Sequence, residues 1–453
     1  MKAKNNGKYF TELRKEYPFF EYQSYSYNLN NGNFEAEFIF NLADRYLFKP
    51  VIKIPARSFY KINSLTKDEL NNFIFHIGLV ELVSYWKVTC SPKVIITPHH
   101  LDDKQVLWWK KLYFLGLGEF FYLNGIVSTE ESFMSISSDG DSTSMSNVKL
   151  DNSKVIVPIG GGKDSIVSLE LLRKSKSKLI PMMVNPREAS IRTIETAGFN
   201  QNQSIVINRS IDSKLLELNK LGFLNGHTPF SALLAFIGAL SCAISGVANI
   251  ALSNESSANE STVPGSKINH QYSKSFEFES DFDWYLKNYI HSGINYFSFL
   301  RPINELQIAS LFAKFPQYFS GFRSCNVGSK KDEWCGSCSK CLFTYIILSP
   351  FIHRDKLINI FGKDMMNDGE IKNIFNELTG ISDVKPFECV GTIGEVNAAL
   401  QKYKDNNEEA LLLSFINTKI LDKYSYKGLI SEYNKEHLIP KKFELILKDA
   451  LND

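Results

Sequence analysis

The sequence predicts an α/β protein in which a mostly parallel sheet carries helices on both faces, with an α+β region before it and a helical region after it. Three observations favour this fold class. From Val155 onward, short β-branched runs alternate with segments of helical periodicity. A turn of three glycines joins the first of these strands to the first helix. The 453 residues also exceed one ordinary core, and 44% hydrophobic with 22% charged residues is a normal globular composition.

The first part of the chain combines strands and helices. Residues 22–54 contain three strand-like runs, with an Asn/Gly turn at residues 30–33 between the first two. Residues 67–86 and 102–123 have helical spacing, and a β-branched run at 93–98 separates them. These patterns predict an N-terminal α+β domain over residues 1–134. A Ser- and Asp-rich stretch without apolar periodicity predicts a linker over residues 135–150.

The central part repeats strand and helix. A strand at 179–185, a helix near 190–198 and a strand at 203–209 follow the glycine turn and its helix. The uncharged stretch 229–252 is long enough to cross a bilayer, but its polar residues and lack of basic flanks favour a buried helix and strand. We predict that this helix has Thr228 as its N-cap and Pro229 as its first residue, and that it ends at Gly246. The nucleotide-binding domain is predicted over residues 151–345 and a mostly helical region over 346–453.

Charge and the N-terminus narrow the class of partner. The 51 basic and 49 acidic residues give a net charge of +2, so nothing in the overall charge favours nucleic acid or an anionic membrane. The first residues are basic but lack the apolar segment of a secretory signal. We therefore expect a cytoplasmic protein that acts on small molecules, binding neither nucleic acid nor membrane.

The glycine turn is the clearest functional motif. A strand, a glycine turn and a helix start create a row of backbone N–H groups that binds phosphate. The Walker pattern fails at Val157 and Asp164, and the dinucleotide pattern fails because Ser165 stands where its third glycine belongs. The turn instead resembles the PP-loop of the N-type ATP pyrophosphatases, Ser-Gly-Gly-x-Asp-Ser, with Gly160 in place of the first serine.

The resemblance to the PP-loop implies a reaction and a set of binding residues. These enzymes cleave ATP between its α- and β-phosphates with Mg²⁺, and the loop holds the pyrophosphate. Lys163 occupies the variable position of the loop, pointing at solvent or at phosphate. Because ligands of such sheets bind beyond the carboxyl ends of the strands, Asn185 is expected at the same edge. The predicted nucleotide-binding residues are Gly160, Gly161, Gly162, Lys163, Asp164, Ser165 and Asn185.

Four cysteines form a second motif. They lie within 17 residues as Cys-x₂-Cys-x₂-Cys, preceded by a fourth cysteine from which nine residues separate them, a spacing that can close a tetrahedral thiolate site. Zinc is the predicted metal, while an iron–sulfur cluster and reduced thiols without metal stay open. The spacing is similar to the structural zinc site of 7-cyano-7-deazaguanine synthase, another PP-loop enzyme. The predicted ligands are Cys325, Cys335, Cys338 and Cys341.

Four segments together carry a more specific resemblance. They are GGGKDS at 160–165, LSNESSANESTVPGSKINHQYSKS at 252–275, FRSCN at 322–326 with WCGSCSKCLF at 334–343, and PFECVGTIGEVNAAL at 386–400. In these segments the chain resembles the UDP-N-acetyl-α-D-muramoyl-L-alanyl-L-glutamate epimerases of bacterial peptidoglycan synthesis. The resemblance implies that ATP and Mg²⁺ drive inversion of the terminal L-Glu of the UDP-linked muramoyl dipeptide to D-Glu, with release of AMP and pyrophosphate. Adenylation of the carboxylate would acidify the α-proton.

The polar segments also supply candidate side chains. Asp164 and Ser165 are expected to act on the phosphates. His270 could transfer the proton, and so could Glu255 or Glu260 if burial raised their pKa values. Arg301 could clamp a carboxylate or diphosphate. For these candidates a hydrogen-bonding or structural role stays open. The predicted substrate-binding residues are Asn254, Glu260, Lys274, Arg301 and Arg323.

Two other functions stay open at this point. One is a PP-loop enzyme that modifies a nucleobase or tRNA, which the cysteine cluster favours and the near-neutral charge disfavours. The other is a regulator that binds ATP without cleaving it, which the intact Asp164-Ser165 pair disfavours. The sequence leaves the oligomeric state undetermined.

Overall fold

The computed structural model of the protein describes residues 5–30, 33–55, 64–406, 409–421 and 423–452. Asn31 and Gly32 of the predicted Asn/Gly turn lie outside the described residues, and the strands on both sides of the turn are present. The regular elements up to residue 150 are α1 (Gly7–Glu16), β1 (Phe19–Asn30), β2 (Asn33–Leu42), β3 (Tyr46–Phe48), β4 (Val51–Pro55), α2 (Lys67–Trp86), β5 (Lys93–Ile96), α3 (Asp103–Gly116), α4 (Gly118–Asn124) and β6 (Ser135–Ser138).

The central elements alternate as the sequence predicts. They are β7 (Asp151–Pro158), α5 (Lys163–Arg173), β8 (Lys178–Val184), α6 (Glu188–Thr196), β9 (Ile205–Ser210), α7 (Ser213–Lys220), α8 (Phe230–Ser245), β10 (Val247–Leu252), α9 (Phe276–Tyr285) and β11 (Asn295–Ser298). The remaining helices are α10 (Glu305–Ala313), α11 (Ser339–Leu348), α12 (Arg354–Phe361), α13 (Lys372–Thr379), α14 (Ile393–Asp405), α15 (Thr418–Leu421), α16 (Tyr426–Ile430) and α17 (Lys441–Asn452). Beyond Ser298, no strand occurs among the residues that the structure describes.

The strands form one mixed sheet of eleven, in the order β11-β10-β7-β8-β9-β4-β2-β1-β5-β6, with β3 beside β2. The pairs β1–β2, β2–β4 and β4–β9 are antiparallel, while β1–β5 and β5–β6 are parallel. The α/β class is therefore confirmed, with a mixed sheet, while the finer expectation of a mostly parallel sheet stays a prediction. Within the sheet, β9, β8, β7, β10 and β11 are neighbours in that order.

Local signals explain where two long buried helices begin and end. Thr66 and Glu69 form a reciprocal capping box at the start of α2. The helix α8 ends at Gly246 in the left-handed conformation, and buried β10 follows, as predicted. The predicted start of α8 is wrong by one residue, because Pro229 has ψ 73 and acts as the N-cap, so Phe230 is the first helical residue. Among the described residues, the helices are too short or too polar to cross a bilayer.

The chain divides into two compact units, each discontinuous in sequence. The first unit comprises Met1–Val155, Ile205–Ile250 and Lys267–Tyr296, and the second comprises Ile156–Ser204, Ala251–Ser266 and Phe297–Asp453. Ser135–Ser138, at the start of the predicted linker, forms β6 in the first unit and pairs with β5. The domain boundaries drawn from the sequence stay a prediction.

Candidate active site

The glycine turn between β7 and α5 lies in the second unit. Gly161 has φ +88°, and a Cβ there would lie 2.7–2.8 Å from backbone and side-chain atoms of Ala189 and Ser190, so a side chain is excluded. A Cβ on Gly160 would meet no protein atom within 4 Å. Gly162 is the N-cap of α5 and offers no side-chain cap to the amides of the first turn. The turn therefore combines backbone donors with open space, which suits an anion.

Two hydrogen bonds hold the carbonyls of this turn in place. The amide of Arg323 donates to the carbonyl of Gly161 at 2.9 Å. The Ser165 hydroxyl donates to the carbonyl of Gly162 at 3.0 Å. The loop that contains Arg323 therefore supports the turn from a distant part of the sequence.

Lys163 is buried and does not point at solvent. Its ammonium contacts the carboxylates of Asp164 and Glu305. Burial alone would lower the pKa of Lys163, but the negative charges of Asp164 and Glu305 outweigh it and raise the pKa. Lys163 is therefore a permanent cation at the start of α5, neutralised by carboxylates.

Glu305 and Glu395 are two buried carboxylates that the sequence reasoning missed. Glu395 accepts the backbone N–H of Glu305 at 2.7 Å and that of Thr392 at 2.5 Å, and the Ser257 hydroxyl at 3.0 Å. Burial raises the pKa of Glu305, and the charges of Asp164 and Glu255 act in the same direction. Burial likewise raises the pKa of Glu395, helped by Glu305. Capping boxes at Asn304–Gln307 and Thr392–Glu395, readable in the sequence, were the available signals.

The segment after β10 is fastened through Arg301. This arginine is fully buried; its Nη1 donates to the carbonyl of Glu255 at 2.6 Å, and its Nη2 to the Ser298 hydroxyl at 3.3 Å. Asn254 donates to the same hydroxyl at 3.0 Å. Arg301 thus fixes the main chain beside Glu255, and its guanidinium contacts protein groups where the sequence predicted a substrate clamp.

The other predicted residues of this unit lie on three segments. Glu260 forms an ion pair with buried Lys385. Arg323 donates to the carbonyls of Phe322 and Asp332, and burial lowers its pKa. Asn185 directly follows β8 and has φ 47°, a left-handed conformation that asparagine tolerates better than most residues.

A polar cavity of about 430 Å³ adjoins Glu395 in the second unit. It is lined by residues of the segment after β10, of the start of α14 and of the region around Tyr433. Ser256, Ser257, Thr392 and Lys435 are among its lining residues. The cavity therefore borders the buried carboxylate of Glu395 with hydroxyl and amine groups.

His270 and Lys274 belong to the first unit. Nδ1 of His270 lies 2.5 Å from Oε2 of Glu119, and Nδ1 of His227 lies 3.6 Å from the same oxygen. The two imidazole centroids are 4.4 Å apart. Burial lowers the pKa of His227 to about 3, and the charges of His270, Lys87 and Lys274 contribute. The structure therefore groups His270 with Glu119 and His227.

The four predicted cysteine ligands come together in the second unit. Sγ–Sγ distances are 3.8 Å for Cys325–Cys338, 3.7 Å for Cys335–Cys341 and 3.5 Å for Cys338–Cys341, and all four sulfurs lie within 4.8 Å of one another. These distances are too long for a disulfide. A tetrahedral zinc site with Zn–S near 2.3 Å has sulfurs about 3.8 Å apart. The cluster therefore has the dimensions of a four-thiolate metal site.

Comparison with known proteins gives one consistent result. The chain matches the family described as MurL N-terminal domain over residues 11–299 and that described as MurL C-terminal domain over residues 319–423. It is 34% identical over 397 residues to the UDP-N-acetyl-alpha-D-muramoyl-L-alanyl-L-glutamate epimerase of Salinispora tropica, covering 84% of each chain. The proteins of that name from Xanthomonas oryzae pv. oryzae and a Micromonospora species are 33% and 32% identical, over 75% and 86% of this chain and 77% and 87% of theirs. No solved structure matches significantly.

Proposed function

This chain belongs to the family of UDP-N-acetyl-α-D-muramoyl-L-alanyl-L-glutamate epimerases, and from that premise we propose that it inverts the terminal L-Glu of UDP-MurNAc-L-Ala-L-Glu to D-Glu. The reaction serves peptidoglycan synthesis and is proposed to take place in the cytoplasm, where ATP is available. ATP is consumed, and AMP and pyrophosphate are released. The observation that carries the ATP-dependent part is the open glycine turn at the N-terminus of α5.

The position of that turn in the sheet supports nucleotide binding. In doubly wound sheets, ligands bind beyond the carboxyl ends of the strands where the winding direction changes. The order β9-β8-β7-β10-β11 is the 3-2-1-4-5 order of such sheets, so we propose that this point lies between β7 and β10; the glycine turn follows β7 after Ile159. Asn254 and Glu255 directly follow β10. We therefore propose a fold of the PP-loop ATP pyrophosphatase type, with the two segments around the nucleotide.

In the proposed chemistry, cleavage of ATP serves to make the α-proton of the glutamate more acidic. The α-carboxylate of the terminal glutamate attacks the α-phosphorus of ATP, and pyrophosphate leaves. The acyl-adenylate carries no negative charge on the carboxyl group, so the α-proton becomes far more acidic. A base removes this proton, a proton returns to the opposite face of the carbon, and water releases AMP and the free D-acid.

Residues of the second unit receive the roles around ATP. The amides at Gly160, Gly161 and Gly162 and the Ser165 hydroxyl would hold pyrophosphate. Asp164 would orient Mg²⁺, which when bound neutralises charge on the phosphate oxygens. Lys163 remains between Asp164 and Glu305 and fixes the carboxylate of Asp164 at the entrance of the turn. Asn185 is proposed to contact the nucleotide.

Substrate binding and proton transfer are assigned to the polar residues that the sequence analysis named. Asn254, Glu260, Lys274, Arg301 and Arg323 are the proposed substrate-binding residues. Of these, Arg301 would act through the main chain of Glu255, which it holds. Glu255 and His270 are the two proposed proton carriers. The negative charge of Glu255 contributes to the raised pKa of Glu305. Glu255 is therefore within electrostatic range of Glu305, the carboxylate that contacts Lys163.

Zinc is proposed at the four cysteines in a structural role. Four thiolates fill a tetrahedral site and leave no open position for a substrate. The segment before Cys325 donates the Arg323 amide to Gly161 of the turn. A metal at the cysteines would therefore stiffen a support of the ATP loop.

The test measures pyrophosphate and AMP release from MgATP with UDP-MurNAc-L-Ala-L-Glu, with the D-Glu epimer or without acceptor, together with chiral analysis of the glutamate. We expect release to depend on the muropeptide and to accompany inversion. Asp164→Asn is expected to abolish both, because it removes the carboxylate that is proposed to orient Mg²⁺. Asp355→Asn, which makes the same change at an exposed position, is the control and should retain both activities.

Solvent exchange separates activation from proton transfer. A Glu255→Gln variant that still releases pyrophosphate but no longer incorporates deuterium from D₂O into the glutamate would support Glu255 as proton carrier, and His270→Asn is tested in the same way. ATP cleavage that requires a nucleobase or tRNA would replace the epimerase by the nucleobase-modifying alternative. ATP binding without cleavage by any acceptor would favour the regulator.

A further inference from the structure

We infer that Glu119, His227 and His270 of the first unit form a second metal site, which takes a divalent transition-metal ion such as Zn²⁺. The three side chains each offer a ligand atom, and these atoms lie within 4.8 Å of one another. The three residues are only partly exposed, with side-chain exposures of 10%, 24% and 12% in that order. The inference rests on observations of the first unit alone, and it bears on the proposed epimerase activity through His270, which is one of the two proposed proton carriers.

The surrounding chain holds the three ligand segments next to one another. Gly226, which precedes His227, packs so closely on Phe120 that a Cβ would lie 3.0 Å from its ring. The carbonyl of Gly226 also accepts the buried ammonium of Lys87 at 2.5 Å. Gly118 lies against Ile268, with 3.7 Å between the place of a Cβ and the Cα of Ile268. Each contact is within two residues of a ligand, so the ligand set is assembled before any metal arrives.

The distances need only a small adjustment to hold an ion. Ligand atoms at about 2.0–2.1 Å from zinc in a tetrahedral site lie roughly 3.3 Å apart. Nδ1 of His227 is 3.6 Å from Oε2 of Glu119, and Nδ1 of His270 is 2.5 Å away, as a hydrogen bond. A metal would replace the proton of that hydrogen bond, and the proton would be released to solvent. The distance between the two atoms would then increase by less than about 1 Å.

The chemistry of the ligands selects the ion and its fourth ligand. Two imidazole nitrogens and one carboxylate oxygen favour zinc and its neighbours over Mg²⁺ or Ca²⁺, which prefer oxygen. Three protein ligands leave one tetrahedral position open, as in catalytic zinc sites. Lys87 and Lys274 act electrostatically on His227 and disfavour a bare dication. An anion in the open position, such as a carboxylate or hydroxide, would balance them. Metal binding would make His270 a ligand, so Glu255 would be the proton carrier of the two that are proposed.

The test counts metal ions per chain in the full-length protein, purified without a histidine tag and dialysed against Zn²⁺ in excess Mg²⁺. We expect two zinc ions in the unaltered protein, one at the cysteines and one at the new site. Glu119→Gln and His227→Phe should each retain only the cysteine-bound ion, with Zn²⁺ affinity at the new site reduced by more than about 100-fold, beyond the loss typical of a second-shell change. His353→Gln, an exposed histidine elsewhere, is the matched control and should keep both ions.

Substituting the cysteines removes the cysteine site, so that the metal content then reports on the new site alone. The double variant Cys335→Ser, Cys338→Ser should retain one zinc ion, and Co²⁺ bound to it should lack the sulfur-to-cobalt charge-transfer absorption that thiolates give. Circular dichroism of each variant establishes that the protein has folded. Equal zinc content in the unaltered protein, Glu119→Gln and His227→Phe, or a double cysteine variant that binds no metal, would overturn the inference.

Discussion

Gly160 and Gly161 are neighbours in the turn, yet they lack side chains for different reasons. Gly161 has a left-handed backbone and no room for a Cβ beside Ala189 and Ser190. Gly160 has neither restriction, since a Cβ would meet no protein atom within 4 Å. The requirement at Gly161 is therefore structural, whereas the absence of a side chain at Gly160 keeps space beside the turn open, in line with a bound phosphate.

A pair of alanine variants separates these two roles. Gly161→Ala is expected to lower the free energy of unfolding by about 1–3 kcal/mol, because it strains the backbone and displaces α6. Gly160→Ala is expected to change it by less than about 0.5 kcal/mol while weakening ATP binding. Urea unfolding and nucleotide titration measure the two quantities. Equal losses of stability in both variants would contradict this division.

The predictability of the site depends on how local each signal is. The turn at residues 160–165 is readable because strand, glycines and helix are consecutive in the sequence. The partner of Lys163 is not, because Glu305 lies 142 residues further along the chain. Arg301 shows the same limit, since its spacing gave no sign that its guanidinium holds the carbonyl of Glu255. The residue types indicated a charged group at each of these positions. Which groups they contact is known only from the tertiary structure.

At the scale of elements, local capping decides which boundaries the sequence predicts. The predicted bounds of α2 coincide with the observed ones because Thr66 and Glu69 mark its start. Residues 102–123 were predicted as one helical segment, but the helix breaks at Leu117 into α3 and α4. At this break Gly116 packs against Pro229, with only 2.8 Å between the place of its Cβ and the proline ring. This contact is tertiary and leaves no periodic signal.

The buried helix α2 also carries a titratable group that makes stability depend on pH. His76 is fully buried, with Nδ1 2.8 Å from the Asn72 carbonyl and Nε2 2.9 Å from the Tyr285 hydroxyl. Burial lowers its pKa to about 4, against about 6.5 in an unfolded chain. As the pH falls from 6.5 towards 4, the unfolded state therefore binds a proton that the folded state does not. Acidification lowers stability, by up to about 3 kcal/mol from this group.

We expect the stability of His76→Asn to fall less steeply than that of the unaltered protein between pH 6.5 and 4. Urea midpoints at a series of pH values measure the slope. Some slope should remain, because burial also lowers the pKa of His227, to about 3. The exposed His353→Gln variant should behave like the unaltered protein. An unchanged slope in His76→Asn would show that His76 does not titrate as burial requires.

At the scale of the whole molecule, the sequence predicts the fold class where strands follow one another along the chain, but it does not predict how distant strands pair. Alternating strands and helices predicted the α/β class, because β7, β8 and β9 follow one another with one helix between each pair. The sequence did not predict that antiparallel strands extend the same sheet through β4 and β9. That pairing joins Val51 to Ser210. The alternation of apolar and polar residues along a strand shows which face is buried, but it does not show which distant strand is the neighbour.

The cysteine cluster predicts a link between metal content and the stability of the second unit. Cys325 to Cys341 would be closed by one zinc ion, and the loop just before Cys325 supports the glycine turn through Arg323 and Gly161. Removing zinc by chelation, or substituting Cys335→Ser, should therefore lower the melting temperature by about 5–10 °C and weaken ATP binding. Calorimetry and nucleotide titration measure both effects, with Cys389→Ser, outside the cluster, as the control. If Cys335→Ser melts at the temperature of the control and retains its ATP affinity, the four thiols contain no structural metal, because an ion that closes this loop cannot be removed without loss of its binding energy from the folded state.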